Sequence, residues 1–190
     1  SGDLVAEGSG TVETKDGRLY MDDTNDGGGL TVWVDRSFED KIRITYDAMV
    51  IEPKGGGNIN FFFAAKTLND RYVLEERHSG EYDEYHRTCN MYIFTFVGDF
   101  PRKSGRDKGH TRLRKDPGFV LLSEDLERSS AMNRRYSFEI IKNGSSIECK
   151  IDGESIHKVT DRDPYTNGTI GFRTWNTRLW FDSLRVYSLV

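Results

Sequence analysis

The sequence predicts an all-β fold in which two antiparallel sheets pack together as a jelly-roll sandwich. Short strand-like segments recur along the chain, and Gly and Asn turns separate them. Strands at intervals of roughly 8–12 residues are typical of a sandwich or a barrel. No segment has the long apolar period of an amphipathic helix. We therefore expect one domain over residues 1–190, because the sequence has no internal repeat and no linker of biased composition.

The first half of the chain supplies strands at residues 17–21, 30–34, 41–50 and 58–65. Polar and apolar residues alternate in segment 41–50, which predicts a strand with one buried face. Segment 58–65 is a continuous apolar run after three glycines. Such a run predicts a strand that is covered on both faces.

The second half of the chain contains a hairpin and two closing strands. Residues 135–142 and 146–151 flank an Asn-Gly-Ser turn, which is a strong hairpin signal. Residues 168–175 and 179–187 then form the last two strands. The concave face of such a sandwich is where we expect a ligand groove.

Charge and hydropathy exclude two classes of partner. The formal net charge is -4, from 31 acidic and 27 basic residues, whereas nucleic-acid-binding domains usually carry a basic excess. The richest basic run, at residues 102–115, predicts only a local cationic patch. No apolar stretch has the length of a membrane span. We expect neither nucleic acid nor membrane as a partner.

Cysteines and acidic residues give no strong metal or disulfide pattern. Cys89 and Cys149 can form one long-range disulfide or stay as two buried thiols, and we favour the thiols. Residues 22–26 are rich in oxygen ligands and are typical of either a turn or a Ca²⁺ loop, with the turn favoured. We expect no cofactor, with a structural Ca²⁺ as the open alternative.

Several motifs resemble a known superfamily. The closing strands, with Gly171-Phe172-Arg173 and the segment 181–187, resemble the end of concanavalin A-like jelly rolls. Tyr82-x-Glu84-Tyr85-His86, Arg112-x-Arg114-Lys115 and Gly118-Phe119 resemble the YesU-like domain-of-unknown-function proteins of the concanavalin A-like lectin/glucanase superfamily. The resemblance covers roughly residues 17–187. It implies a concanavalin A-like jelly roll and a context of polysaccharide degradation, but no settled activity.

Segment 81–92 holds the candidate catalytic residues. If strand character begins near Tyr85, then His86, Asn90 and Tyr92 share one polar face. The resemblance places Glu84, Tyr85 and His86 there as candidate acid, base or charge-stabilising groups. The acidic residues at 81–84 lack the alternation of glucanase strands, which argues against a paired-carboxylate mechanism.

The remaining candidates are side chains that bind substrate. β-Elimination at a uronate requires a cation for the carboxylate, a base for the proton and an acid for the leaving oxygen. The candidate substrate-binding residues are Asn90, Tyr92, Arg112, Arg114, Arg173 and Trp175. Arg114 and Arg173 follow from the resemblance, whereas Asn90, Tyr92 and Arg112 follow from strand alternation. An indole such as that of Trp175 can stack on a sugar ring.

These observations predict a carbohydrate-active protein with an oligosaccharide or polysaccharide as its partner. The abundance of titratable groups favours an enzyme of polysaccharide breakdown, either a lyase or a glycoside-cleaving enzyme. The alternative is a lectin-like binding module without catalysis. A third class is a structural or protein-binding sandwich, since a fold alone does not determine function. We expect a secreted or periplasmic location.

Overall fold

The computed structural model describes residues 3–25, 27–54, 56–102, 105–106 and 108–190. Its regular elements lie mainly in two antiparallel seven-stranded sheets that pack face to face, as predicted. In chain order, the strands are β1 (Leu4–Gly8), β2 (Thr11–Lys15), β3 (Arg18–Asp22), β4 (Leu30–Phe38), β5 (Ile42–Glu52), β6 (Ile59–Thr67), β7 (Cys89–Val97), β8 (Pro101–Arg102), β9 (Gly105–Arg106), β10 (His110–Asp116), β11 (Val120–Asp125), β12 (Arg135–Asn143), β13 (Ser146–Ile151), β14 (Glu154–Thr160), β15 (Gly168–Thr174) and β16 (Arg178–Ser188).

Each sheet combines strands from both halves of the chain. The first sheet has the order β1-β4-β15-β6-β7-β10-β11, and the second has the order β14-β13-β12-β5-β16-β3-β2. The short strands β8 and β9 form a separate hairpin. The predicted Asn-Gly hairpin is the β12–β13 pair. Because the closing strand β15 lies in the middle of the first sheet, residues near both ends of the chain meet on one surface.

The main core lies between the two sheets. Alternate residues of each strand point into it, and Tyr46 is a representative example with 2% exposure. Its ring stacks on Phe61 of the first sheet at 4.5 Å and on Phe138 at 4.8 Å. Burial of these apolar side chains is the main favourable term for the sandwich, at about 25 cal/mol per Å².

A second apolar cluster covers part of the outer face of the first sheet. Trp33 of β4, Phe62 of β6 and Ile93 of β7 point outward, and all three are fully buried. Their cover is the connection between β6 and β7, which contains a 3-10 turn (Val73–Glu75) and helix α1 (Tyr82–Thr88). This cover explains why β6 is buried on both faces, as its apolar run predicts.

Helix α1 occupies the position where strand character was expected, so the shared face of His86, Asn90 and Tyr92 is wrong. The helix has two acids in its first turn and His86 and Arg87 in its last turn, which is favourable for the helix dipole. Strand β7 begins only at Cys89. No helix within the described ranges has the length and apolarity that a bilayer span requires.

Candidate functional site

A row of seven polar residues crosses the outer face of the first sheet from one edge to the other. Each member is the register partner of the next, so every strand of the sheet contributes one residue. From the β1 edge to the β11 edge, this polar row is Glu7, Thr31, Arg173, Asn60, Thr95, Arg112 and Glu124. Apolar residues such as Trp33 and Phe62 form the neighbouring row, which lies two residues along each strand. The polar row thus borders the apolar cluster beneath helix α1.

The centre of the polar row holds polar atoms that have no hydrogen-bond partner among the described residues. They are Nε and Nη2 of Arg173, Oδ1 of Asn60 and Oγ1 of Thr95. Nη1 of Arg173 is satisfied, since it donates to Thr31 Oγ1 at 3.0 Å and to the Gly80 carbonyl at 2.7 Å. Buried polar groups are nearly always paired, because each unpaired group costs about 1–3 kcal/mol. Unpaired buried groups concentrated in this way call for an explanation, such as a bound water or a ligand.

Tyr82 of helix α1 lies between two arginines at this surface. The Arg173 guanidinium lies 4.7 Å from the centre of the Tyr82 ring. The ring of His86 is 4.1 Å from that of Tyr82 and 3.9 Å from that of Phe119. Arg114 in turn stacks on Phe119 at 3.9 Å. His86, Arg114 and Arg173 therefore lie on one side of the sheet, as predicted.

Charge and burial act together on this cluster. Burial raises the pKa of Tyr82 to about 12, although the positive charges of Arg173 and Arg114 oppose the shift. The Tyr82 phenol comes near the Thr95 hydroxyl without meeting hydrogen-bond geometry. Burial also lowers the pKa of Arg114, and the charge of Arg112 lowers it further. Tyr82 is thus a neutral phenol at neutral pH.

A buried carboxylate orients His86. Its Nδ1 lies 2.7 Å from Oδ2 of Asp116, whose side chain is completely buried. Oδ1 of Asp116 accepts the backbone N–H of Phe119 at 2.8 Å. This pairing leaves Nε2 of His86 as the nitrogen that can exchange a proton or bind a ligand.

The three candidate catalytic residues do not converge. Tyr85 is fully buried, and its hydroxyl donates to Oε2 of Glu7 at 2.9 Å. Burial, followed by the charge of Glu7, raises the pKa of Tyr85 far above its ordinary value. Glu84 instead accepts the backbone N–H of Ser79 at 2.6 Å. Tyr85 and Glu84 therefore stabilise the cover of the sheet, and of the three only His86 lies in the cluster with Tyr82, Phe119 and Arg114.

Two predicted substrate-binding residues lie on the other side of the first sheet. Tyr92 belongs to the core between the sheets, and its hydroxyl donates to Oδ2 of Asp161 at 2.7 Å. Asn90 lies two residues before Tyr92 in β7, so it belongs to the same face of the strand, and its amide donates to the Thr67 carbonyl at 3.1 Å. Their placement in a groove with His86 is wrong, because the helix breaks the alternation that was read from His86 to Tyr92.

Arg112 and Trp175 are both partly exposed to solvent, at different places along the first sheet. Arg112 is half-buried and forms an ion pair with Glu124 at the β11 end of the polar row. Beside it lies a depression of about 350 Å³ that includes Lys108, His110 and Leu126. Trp175 is 36% exposed in the turn after β15, two residues beyond Arg173.

At the β1 end of the polar row, Glu7 is the centre of a buried hydrogen-bond network. Its carboxylate accepts Trp33 Nε1–H at 2.7 Å and the backbone N–H of His78 at 3.1 Å. The His78 ring lies between Glu7 and Cys89, with Nδ1 3.3 Å from Glu7 Oε1 and Nε2 3.6 Å from the Cys89 sulfur. Burial opposes charge on His78, yet Cys89 and Glu7 raise its pKa to about 10. His78 itself is buried, with 8% exposure.

The acidic loop after β3 has a structural role. The Asp23 carboxylate accepts the backbone N–H groups of Asn176 and Thr177 at 2.7 and 2.9 Å. Asp182 lies at the other end of the β3–β16 pair, beside Arg18. In the described part of the chain, no three metal-ligating side chains are grouped closely enough to hold an ion. Asp26, the last residue of the candidate Ca²⁺ loop, lies outside the described residues.

Sequence reasoning missed several members of this surface. Thr31, Asn60 and Thr95 are single polar residues inside apolar strands, and that interruption was the available signal. Tyr82 and Phe119 belong to the motifs that carry the family resemblance, but those motifs predict no role for either side chain. Their meeting depends on long-range register, such as the pairing of Arg173 with Thr31 and Asn60.

Comparison with known proteins gives consistent results for fold. A curated relative, the uncharacterized protein YesU of Bacillus subtilis (strain 168), is 27% identical over 185 residues, which are 90% of this chain and 82% of YesU. A solved Bacillus subtilis protein of unknown function with a galectin-like fold superposes with a TM-score of 0.83 at 24% identity, over 98% of this chain and 89% of that chain. The carbohydrate-binding module CBM66 from Bacillus subtilis gives a TM-score of 0.72 at 12% identity, over 98% and 96% of the two chains.

The two structural likenesses are below 25% identity, so they establish the galectin-like sandwich and nothing further. The family match is more extensive, since the profile of the domain of unknown function DUF6250 matches residues 24–184. That span contains β4 to β15 and most of β16. The chain therefore belongs to the DUF6250 family.

Proposed function

We propose that this protein binds an oligosaccharide or polysaccharide at the polar row on the outer face of the first sheet, as a binding module. The observation that carries the proposal is the set of unpartnered polar atoms of Asn60, Thr95 and Arg173 in adjacent register positions. Sugar hydroxyls both donate and accept hydrogen bonds, so one ligand type can satisfy amide, hydroxyl and guanidinium groups. The similarity of the fold to the carbohydrate-binding module CBM66 supports this proposal.

The geometry favours binding over catalysis. Tyr85 and Glu84 are engaged in bonds that hold the cover in place. By contrast, exposed Trp175 after β15 and half-buried Arg112 at the β11 end of the row offer the polar and aromatic contacts that sugar-binding surfaces use. The ligand would approach from this end, where the row is least covered. We propose a secreted or periplasmic location, where polysaccharides are encountered.

The experiment is isothermal titration calorimetry against a panel of neutral and uronate-containing oligosaccharides. The first variant is Thr95→Val, which removes an unpartnered hydroxyl but keeps the side-chain shape. Its matched control is Thr169→Val, because Thr169 also carries a buried unpartnered hydroxyl and lies outside the polar row. We expect Thr95→Val to weaken binding about 5–10-fold, corresponding to about 1 kcal/mol, whereas Thr169→Val should leave affinity unchanged.

A second pair of variants tests the aromatic contact. Trp175→Ala should weaken binding about tenfold through lost stacking. Tyr187→Ala is the control, since Tyr187 is 42% exposed on β16 of the second sheet. Equal effects of the two substitutions, or absence of binding to every glycan in the panel, would count against the proposal.

One observation favours an enzyme as the second candidate. The 2.7 Å contact with Asp116 fixes His86, as in sites where a carboxylate orients a catalytic imidazole. Arg114 and Arg173 lie on the same surface and match the charge neutralisation that uronate β-elimination requires. His86→Ala would then remove turnover, measured by unsaturated product and by reducing ends, while much of the affinity remains. Wild-type protein that binds the glycan without either product would leave the binding module as the function.

A further inference from the structure

The arginines in the described part of the chain that are not fully exposed fall into two groups, according to whether or not they contact a carboxylate. Exposed arginines are solvated and need no partner. Three half-buried arginines, Arg18, Arg112 and Arg128, each contact a carboxylate. The two others that are not exposed, Arg114 and Arg173, form no ion pair with any residue that the structure describes.

Both of these arginines face the candidate site. Arg114 stacks on Phe119, and its Nε is buried without a hydrogen-bond acceptor. Arg173 stacks on Tyr82 and has two unpartnered nitrogens. The chain as a whole is acidic, with a formal net charge of -4, so two unpaired arginines on one surface are a local feature.

The acids nearest to Arg114 bond to other groups. Glu124 pairs with Arg112, and the Asp116 carboxylate accepts bonds from His86 and from the Phe119 backbone. Their charges still act on Arg114, whereas Arg112, two residues away on the same face of β10, adds like charge. Arg114 is therefore left without a direct carboxylate partner among the described residues.

We propose that the glycan bound at this site carries carboxylate groups, and that Arg114 receives one of them. This inference rests on the proposed carbohydrate-binding function and adds the chemical class of the ligand. A guanidinium binds a carboxylate through two parallel hydrogen bonds, which a neutral sugar cannot replace. Phe119 stacks on the Arg114 guanidinium and holds its orientation. Part of the entropy cost of immobilising this side chain is therefore already met before the ligand binds. Arg173 is fully buried and adds positive potential from below Tyr82.

The test compares four probes by calorimetry: an oligogalacturonate, its methyl ester, a sulfated oligosaccharide and a neutral cello-oligosaccharide. We expect the oligogalacturonate to bind at least about tenfold more tightly than its methyl ester, which corresponds to about 1.4 kcal/mol. The preference should shrink as NaCl rises from about 50 to about 500 mM, because salt screens the attraction. Tightest binding of the sulfated probe would replace carboxylate by sulfate ester and overturn the assignment.

Variants locate the contact. Arg114→Gln should reduce the affinity for oligogalacturonate to that of the ester and leave the affinity for the ester unchanged. Arg114→Lys keeps the charge without the planar fork and should give an intermediate value. Arg185→Gln is the control, because Arg185 is exposed on β16 of the second sheet.

The outcomes separate this inference from the function on which it rests. Equal affinity for acid and ester, or an Arg114→Gln variant that keeps the preference, overturns the carboxylate assignment while carbohydrate binding stands. Absence of binding to all four probes overturns both.

Discussion

His86 on helix α1 and Asp116 at the end of β10 form a hydrogen-bonded pair, with 2.7 Å between Nδ1 and Oδ2. The backbone strengthens this connection, since Gly118 N–H donates to the His86 carbonyl at 2.9 Å. Phe119, which stacks on both His86 and Arg114, is held by its own backbone bond to Asp116. One buried carboxylate thus positions the aromatic side of the candidate site.

Asp116→Ala should lower the free energy of unfolding by about 2–3 kcal/mol, because it breaks two buried hydrogen bonds to one carboxylate. Asp116→Asn should cost less, since its amide oxygen can still accept the Phe119 N–H. Urea denaturation measures both changes. Glu13→Ala is the control, because Glu13 is exposed on β2 and the substitution should change stability by less than about 0.5 kcal/mol. An Asp116→Ala variant as stable as this control would refute the anchoring role.

Stability should depend on pH through the Glu7–His78 pair. Burial disfavours both charges, but the mutual hydrogen bonds lower the pKa of Glu7 and, with Cys89, raise that of His78 to about 10. The contribution of Glu7 is present above its ordinary value of 4.5 and is lost as pH falls below it. That of His78 is fully present below its ordinary value of 6.5 and is lost as pH rises towards 10.

Glu7→Gln removes the charged partner of His78 and tests the direction of this pH dependence. The stability difference between wild type and Glu7→Gln should be largest at about pH 5–6.5 and should shrink towards pH 10. Thermal denaturation across this range measures it, with Glu13→Gln on exposed strand β2 as the control. A difference that stays constant with pH would contradict an ionised pair.

Both cysteines should be unreactive in the folded protein. Cys89 lies in the cluster under helix α1, whereas Cys149 lies in the core between the sheets, so the first sheet separates them. Burial raises the pKa of Cys149 far above its ordinary value. We expect Ellman's reagent to label neither thiol in native protein and both in urea. Rapid native labelling of Cys89 would mean that the cover opens readily.

Arg114 should contribute little to the free energy of unfolding. Its guanidinium has an unpaired buried nitrogen and no carboxylate partner in the described ranges, so an apolar chain of similar length restores most packing without that cost. Arg114→Met should therefore be as stable as wild type or more stable, while glycan affinity falls. A loss of more than about 1 kcal/mol on urea denaturation would indicate a structural role instead.

Local sequence patterns predicted the sandwich because alternation and apolar runs within single strands are enough to indicate which faces are buried. The alternation at residues 41–50 is the inward and outward pattern of β5, and the apolar run at 58–65 is the doubly buried β6. Helix α1 was missed because its seven residues give too few turns for a helical period. That error placed Asn90 and Tyr92 on the face of His86.

The site was only partly predictable because it depends on pairings between distant strands. Motif resemblance found His86, Arg114 and Arg173, which do lie on one surface. The polar row exists only when Thr31, Asn60 and Thr95 come into register with Arg173, and sequence alternation within one strand contains no such information.

The most direct test of carbohydrate binding at the polar row is to map backbone amide NMR shifts during titration with the tightest-binding oligosaccharide of the panel. We expect the largest shifts at Thr95, Arg112 and Trp175. The second sheet provides the comparison surface, because Asp47, Ser137 and Arg185 line a depression of about 460 Å³ there. Shifts concentrated at those residues, or no shifts with any oligosaccharide, would mean that the polar row is not a carbohydrate-binding site.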